Sequence, residues 1–148
     1  MADGKPMNPT KVLIVDDDAF LLDMYAIKFR ESGFAVDIAK NGEEALAKSK
    51  SANPDVILLD IVMPKMDGFD VLRALKKDNL APNAVIVILT NLGQKEDVER
   101  GLKLGASDYV VKAHFTPSEV VAKVKGLLVG KTQASGGLAS GASGDFHI

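Results

Sequence analysis

Three kinds of residue, at the ends of four apolar runs, stand where they could act together. Asp16, Asp17 and Asp18 follow Val12–Val15, Asp60 follows Val56–Leu59, Thr90 follows Val85–Leu89, and Lys112 follows Tyr109–Val111. Carboxylates gathered in one place repel and raise one another's pKa, and a divalent cation relieves that repulsion. An all-oxygen ligand set selects a hard ion, and a few carboxylates with waters suit Mg²⁺. A carboxylate beside such an ion is a competent nucleophile toward phosphorus and forms an aspartyl phosphate. Phosphoryl transfer then needs positioning and charge neutralisation more than covalent chemistry. The Lys112 ammonium and the Thr90 hydroxyl are suited to the phosphoryl oxygens.

Taken singly, each residue has an ordinary reading. Asp18 fits a helix N-cap. Asp16 or Asp17 alone fits a solvated loop carboxylate, Thr90 a turn residue, and Lys112 a surface charge. Their recurrence after four of five apolar runs favours the chemical reading. His114 and His147 have no partner at metal-ligand spacing and read as structural or solvated. Met63 and Met66 read as packing residues, Asp67–Gly68 as a turn, and Lys76 and Lys77 as a solvated helix end that suits the C-terminal dipole.

The elements that must position these residues alternate along the chain. The apolar runs, with Val36–Ala39 as the second and weakest, are continuous and rich in β-branched residues. That pattern marks strands buried on both faces, as in a parallel sheet. Between them, Leu21, Met24, Tyr25 and Phe29 define one helical face, and Gly33 supplies a stop. Asn41–Gly42 marks a turn before a short helix over Glu43–Ser49. Phe69, Leu72 and Leu75 make another stripe. Val98 and Leu102 mark a weaker helix, because Gly101 inside it costs about 1 kcal/mol relative to Ala. Thr116, Pro117 and Glu119 form a capping-box start for a last helix whose apolar face is Val121, Val124 and Leu128. The expected fold is α/β, with five β-α units in a single doubly wound parallel sheet. In such a sheet, function collects outside the carboxyl ends of the strands, which is where the reactive residues fall.

Composition bounds the function. The chain has 148 residues, 47% hydrophobic and 26% charged, with a net charge of −2 and no cysteine. That suits one domain with modest tails. It excludes disulfides and thiolate chemistry, and offers no basic surface to nucleic acid or anionic membrane. No apolar run approaches the roughly 20 residues a membrane span needs. Met1–Thr10 lacks the apolar stretch of a signal peptide, so a cytoplasmic protein is expected. The expected organisation is a flexible segment over 1–10, an ordered domain over 11–129, and a disordered Gly/Ser-rich tail over 130–148.

These segments resemble the receiver domains of two-component response regulators, from Lys11 to about Leu128. Val12-Leu-Ile-Val-Asp16-Asp17 is similar to the family's acidic pair. Pro54-Asp-Val-Ile-Leu-Leu-Asp60-Ile-Val-Met63-Pro64-Lys-Met-Asp67-Gly68 is similar to its phospho-acceptor segment. Ile88-Leu-Thr90 resembles the switch threonine, and Gly105-Ala-Ser-Asp-Tyr109-Val-Val-Lys112 the switch aromatic and the lysine. The resemblance implies a flavodoxin-like, CheY-like (βα)5 fold with strand order 2-1-3-4-5. It implies that a histidine kinase or phosphotransfer protein donates a phosphoryl group to Asp60. Mg²⁺, or Mn²⁺ in its place, would be held by Asp16, Asp17, Asp60 and the Val62 backbone carbonyl, and Thr90 and Tyr109 would move inward together. The output would be a downstream protein bound on the face of the fourth helix, fifth strand and fifth helix, with no direct contact to nucleic acid or membrane. The chain would be a monomer or a weak, phosphorylation-dependent dimer, and no enzyme beyond catalysing its own phosphorylation and dephosphorylation.

The sequence departs from the family in places. The lysine is usually followed by proline and an aromatic, often through a cis bond, whereas here Lys112 precedes Ala113, His114 and Phe115. That puts the aim of Lys112 at issue. Asn91 stands where relatives prefer a smaller residue, which narrows access to the phosphoryl group. Val62 and Leu92 flank the site where many relatives carry polar residues able to orient the hydrolytic water, which predicts slow decay of the phosphoryl group. Two other functions share parts of the pattern. Asp16-Asp17-Asp18 contains the Asp-x-Asp pattern of phosphatases that use an aspartyl phosphate, and would make Asp16 the nucleophile. A flavodoxin-like cofactor binder shares the architecture, although three carboxylates after the first strand would repel an FMN phosphate.

Overall fold

A computed structural model describes residues 9–134. Its strands are β1 (Lys11–Val15), β2 (Ala35–Ala39), β3 (Val56–Leu59), β4 (Val85–Thr90) and β5 (Asp108–Val111). Its helices are α1 (Ala19–Glu31), α2 (Gly42–Ala52), α3 (Gly68–Lys77), α4 (Lys95–Lys103) and α5 (Pro117–Ala134). The strands pair in parallel in the order β2-β1-β3-β4-β5, with Val12 opposite Val36 and Val56, Val56 opposite Val85, and Thr90 opposite Val111. This is the expected flavodoxin-like, CheY-like architecture.

The period-two alternation of a strand splits the core in two. Leu13, Val15, Ile57, Leu59, Ile86, Ile88, Tyr109 and Val111 face Phe69, Leu72 and Leu75 of α3 and Val98 of α4. Val12, Ile14, Val56, Leu58, Val87, Leu89 and Val110 face Leu22, Tyr25 and Phe29 of α1 and Val120, Val121 and Val124 of α5. β3 is therefore apolar at every position, and β1 and β4 are apolar apart from Lys11 and Thr90 at their ends, as two-sided burial requires. β2, at the sheet edge, is half-buried apart from Ala39.

Several local readings shift. The buried face of α1 is Leu22, Tyr25, Ala26 and Phe29, while Leu21 and Met24 only flank it. A helix covering a flat sheet buries a band wider than one row of side chains. α2 runs three residues beyond Ser49, to Ala52. Thr116 and Glu119 make the expected capping box, with Glu119 N–H donating to Thr116 Oγ1 at 3.1 Å and Thr116 N–H to Glu119 Oε1 at 2.8 Å. α5 continues past residue 129 to Ala134, since one glycine costs a helix only about 1 kcal/mol. Residues 1–8 and 135–148 lie outside the described residues, as does His147. No helix among the described residues is long and apolar enough to cross a membrane.

Candidate functional site

β1 and β3 are neighbours, so their C-terminal ends bring Asp16 and Asp60 together. Backbone pairing holds both residues. Asp16 N–H donates to Ala39 O at 3.1 Å, and Asp60 N–H to Val15 O at 3.0 Å. Both carboxylates are buried, at 3% and 6% exposure, and Asp17 beside them is exposed. One oxygen from each of Asp16, Asp17 and Asp60 lies within 4.8 Å of the others. Three carboxylate oxygens that close together form the donor set a hard divalent cation selects. Asp18 stands apart from this group as the N-cap of α1, accepting from Phe20 N–H at 3.0 Å and Leu21 N–H at 3.2 Å.

Lys112 reaches the cluster from beyond the end of β5. Its Nζ donates to Asp16 Oδ2 at 2.7 Å and to Asp60 Oδ2 at 3.2 Å. All peptide bonds of the described residues are trans, and Lys112–His114 forms a single 3₁₀ turn. The missing proline therefore does not misdirect the lysine. Burial is the largest influence on Asp16 and raises its pKa, although Lys112 and the Asp18 N–H act the other way. Burial is also the largest influence on Lys112 and would lower it, but the two carboxylates together outweigh burial and hold it above its ordinary value.

The remaining ligands of the two carboxylates differ. Asp16 Oδ1 accepts from Asp18 N–H at 2.9 Å, whereas Asp60 Oδ1 accepts from Val62 N–H at 3.3 Å. Asp16 is thus held by the shorter contacts on both oxygens. Val62 itself is 58% exposed beside the site.

Thr90 and Tyr109 meet at the backbone of Leu92, a residue the sequence places beside the site but gives no part in linking these two. Thr90 is fully buried, and its Oγ1 accepts from Leu92 N–H at 3.4 Å. The Tyr109 hydroxyl donates to Leu92 O at 2.6 Å, and the residue is 4% exposed. Tyr109 therefore already lies inward. Burial, and then the charges of Asp97 and Asp60, push its hydroxyl up to about 12. Leu92 makes this link through its backbone, so its side-chain identity carries no signal of this role.

Gly68 is more than a turn glycine. A Cβ there would lie 2.3 Å from Asp60 O and 2.7 Å from Ile61 Cα. The loop after Asp60 folds back at that point, and Gly68 N–H donates to Ile61 O at 2.9 Å. Asp67 caps α3 in a capping box with Asp70. Met63 is buried and Met66 packs against the core, both as expected. His114 is exposed and joins no acidic group.

The sequence pattern of the family described as "Response regulator receiver domain" matches residues 12–125. The chain is 41% identical over 128 residues to "Transcriptional regulatory protein ResD" of Bacillus subtilis, covering 86% of this chain and 52% of that protein. It is 42% identical over 118 residues to "DNA-binding response regulator MtrA" of Mycobacterium tuberculosis, covering 80% of this chain and 50% of that one. The chain thus spans about half the length of these curated relatives. Among solved structures, a CheY-like response regulator receiver domain protein from Methanospirillum hungatei superposes with a TM-score of 0.78 at 29% identity, covering 88% of this chain and all of that one.

Proposed function

The chain belongs to the response regulator receiver family, a signalling family whose general mechanism is phosphorylation of an aspartate, and on that premise we propose that Asp60 is the aspartate that accepts the phosphoryl group. The observation that carries this reading is the convergence of Asp16, Asp17, Asp60 and Lys112 at one edge of the sheet. Between the two buried carboxylates, the looser hydrogen bonds of Asp60 favour it as nucleophile, and the tighter ones of Asp16 favour a fixed ligand.

Receiver domains generally bind Mg²⁺ at an acidic cluster of this kind, and this chain has such a cluster. Asp16, Asp17, Asp60 and the Val62 carbonyl would hold the ion, which when bound supplies charge neutralisation for the attacking and transferred oxygens. The chain's own groups do the rest. An Asp60 carboxylate oxygen attacks phosphorus, an O–P bond forms, and the bond from phosphorus to the donor's nitrogen or oxygen breaks with its electron pair leaving on the donor. Lys112, charged throughout, moves from the carboxylate pair to a phosphoryl oxygen. Thr90 Oγ1 donates to another, which changes its contact with Leu92 and so alters the loop that also holds Tyr109. That biases two conformations of the α4–β5–α5 face. A histidine kinase or phosphotransfer protein in the cytoplasm is the expected donor, and a protein bound on that face the expected reader.

The test is acetyl phosphate labelling with Mg²⁺, followed by peptide mapping. Label on Asp60, lost in Asp60→Asn and retained in Asp17→Asn at higher Mg²⁺, is the expected result. Label on Asp16 with turnover of a phosphate ester would replace this reading with a phosphatase.

A further inference from the structure

The β4–β5 ladder ends at Thr90 opposite Val111. The next residue on each side is Asn91 and Lys112, so the segment carrying the lysine leaves the sheet with no further ladder bond to β4. The following residue, Ala113, has an amide hydrogen that a proline would lack. Asn91 Oδ1 accepts that hydrogen at 3.1 Å. Besides this bond, the 3₁₀ turn is closed by Phe115 N–H donating to Lys112 O at 3.3 Å. One side chain therefore ties the strand end bearing Thr90 to the turn bearing Lys112.

We propose that Asn91 is a positioning residue that fixes the Lys112 turn for the phosphoryl group, in the place of a rigid proline. This rests on the reading of Asp60 as acceptor. Lys112 must span from beyond β5 to oxygens on β1 and β3, and its long side chain holds its ammonium in place only if its backbone is fixed. Proline at residue 113 would restrict that backbone covalently. Alanine does not, but it presents a donor, and Asn91 uses it. The large residue after Thr90 and the absent proline, two separate departures from the family pattern, thus become one compensating pair. Asn91 acts through the turn, which differs from the role of narrowing access by size.

The test uses the full chain, with Mg²⁺ alone and with Mg²⁺ plus beryllofluoride as probes. Affinities come from calorimetry and fluorine NMR, and Ala113 amide exchange from proton NMR. Asn91→Ala should speed Ala113 exchange and weaken beryllofluoride about fivefold, the effect of one ordinary hydrogen bond, with no loss of Mg²⁺ affinity. In an Ala113→Pro background the same substitution should be silent, since no donor remains to lose. Equal weakening in both backgrounds would assign Asn91 to access instead and overturn the proposal. So would parallel loss of Mg²⁺ affinity, or unchanged beryllofluoride binding. A wild-type chain that binds Mg²⁺ but takes no beryllofluoride would overturn the Asp60 reading itself, and this role with it.

Discussion

Lys112 Nζ lies 2.7 Å from Asp16 Oδ2, nearer than the 3.2 Å that separates it from Asp60 Oδ2. The ammonium rests chiefly on a carboxylate proposed as a metal ligand, not on the proposed acceptor. Without a divalent cation, Lys112 is the counter-ion of a buried acidic pair. A cation arriving at the cluster must share Asp16 with it.

Removing that competitor should tighten metal binding. Two like charges about 4 Å apart interact by about 4 kcal/mol near a protein surface, and relaxation and water reduce this. We expect Lys112→Met to bind Mg²⁺ about tenfold more tightly by calorimetry. The same variant should lose about 2 kcal/mol of stability to urea without Mg²⁺, because two buried carboxylates lose their partner. Added Mg²⁺ should restore most of that loss. Weaker Mg²⁺ binding in the variant would show that Lys112 helps to build the metal site instead.

Tyr109 makes the alkaline limb of stability predictable. Its hydroxyl is held neutral to about 12 against an ordinary 10.0. A group raised in the folded state contributes stability that is complete below the unfolded pKa and is lost as pH rises through the folded one. The contribution, up to about 3 kcal/mol, should therefore fade between pH 10 and 12. Tyr109→Phe should flatten that window in urea unfolding curves compared with wild type. Phenolate absorbance should show one late titration lost in the variant. A Tyr109 that ionises at its ordinary pH would contradict the buried, hydrogen-bonded placement.

The sheet and the reactive residues were legible because both follow from simple rules. Two-sided burial makes a strand apolar throughout, and the residue after each such strand must lie at one edge. Asp16, Asp60, Thr90 and Lys112 could be placed at that edge by counting. What escaped was whatever depends on backbone atoms or on absent ones. Leu92 contributes an N–H and a carbonyl, which every non-proline residue has. Gly68 and Gly101 contribute the lack of a Cβ, and only the neighbouring atoms reveal why that matters. The Lys112 turn was in doubt for the same reason, since the partner of the Ala113 amide is distant in sequence.

Gly101 looked like a weak point of α4, yet it is buried. A Cβ there would come within 2.5 Å of Ile88 Cδ1 and 3.2 Å of Tyr109 Cδ2. Alanine would gain about 1 kcal/mol of helix propensity, and overpacking would cost about 1–3 kcal/mol. We expect Gly101→Ala to be net destabilising by about 1 kcal/mol and to shift the Tyr109 ring resonances. Adding Ile88→Val removes the nearest atom, so the double variant should regain most of the loss. A single variant more stable than wild type would show that Ile88 and Tyr109 yield at no cost.

The surroundings of Asp60 bear on how long a phosphoryl group would persist. Val62 is 58% exposed next to the proposed acceptor, and Leu92 is half-buried with its backbone committed to Thr90 and Tyr109. Neither side chain can accept a hydrogen bond from a water attacking phosphorus. Orienting such a water is a positioning effect, and a placed polar group contributes about tenfold or more to such a step. We therefore expect a radiolabel chase to give phosphoryl-Asp60 a lifetime of minutes or longer, and Val62→Asn to shorten it about tenfold. Because Val62 is exposed, the substitution should leave thermal stability unchanged, so a shorter lifetime would report water positioning and not a loosened fold. Decay within seconds in the wild-type chain would mean that another group already orients the water.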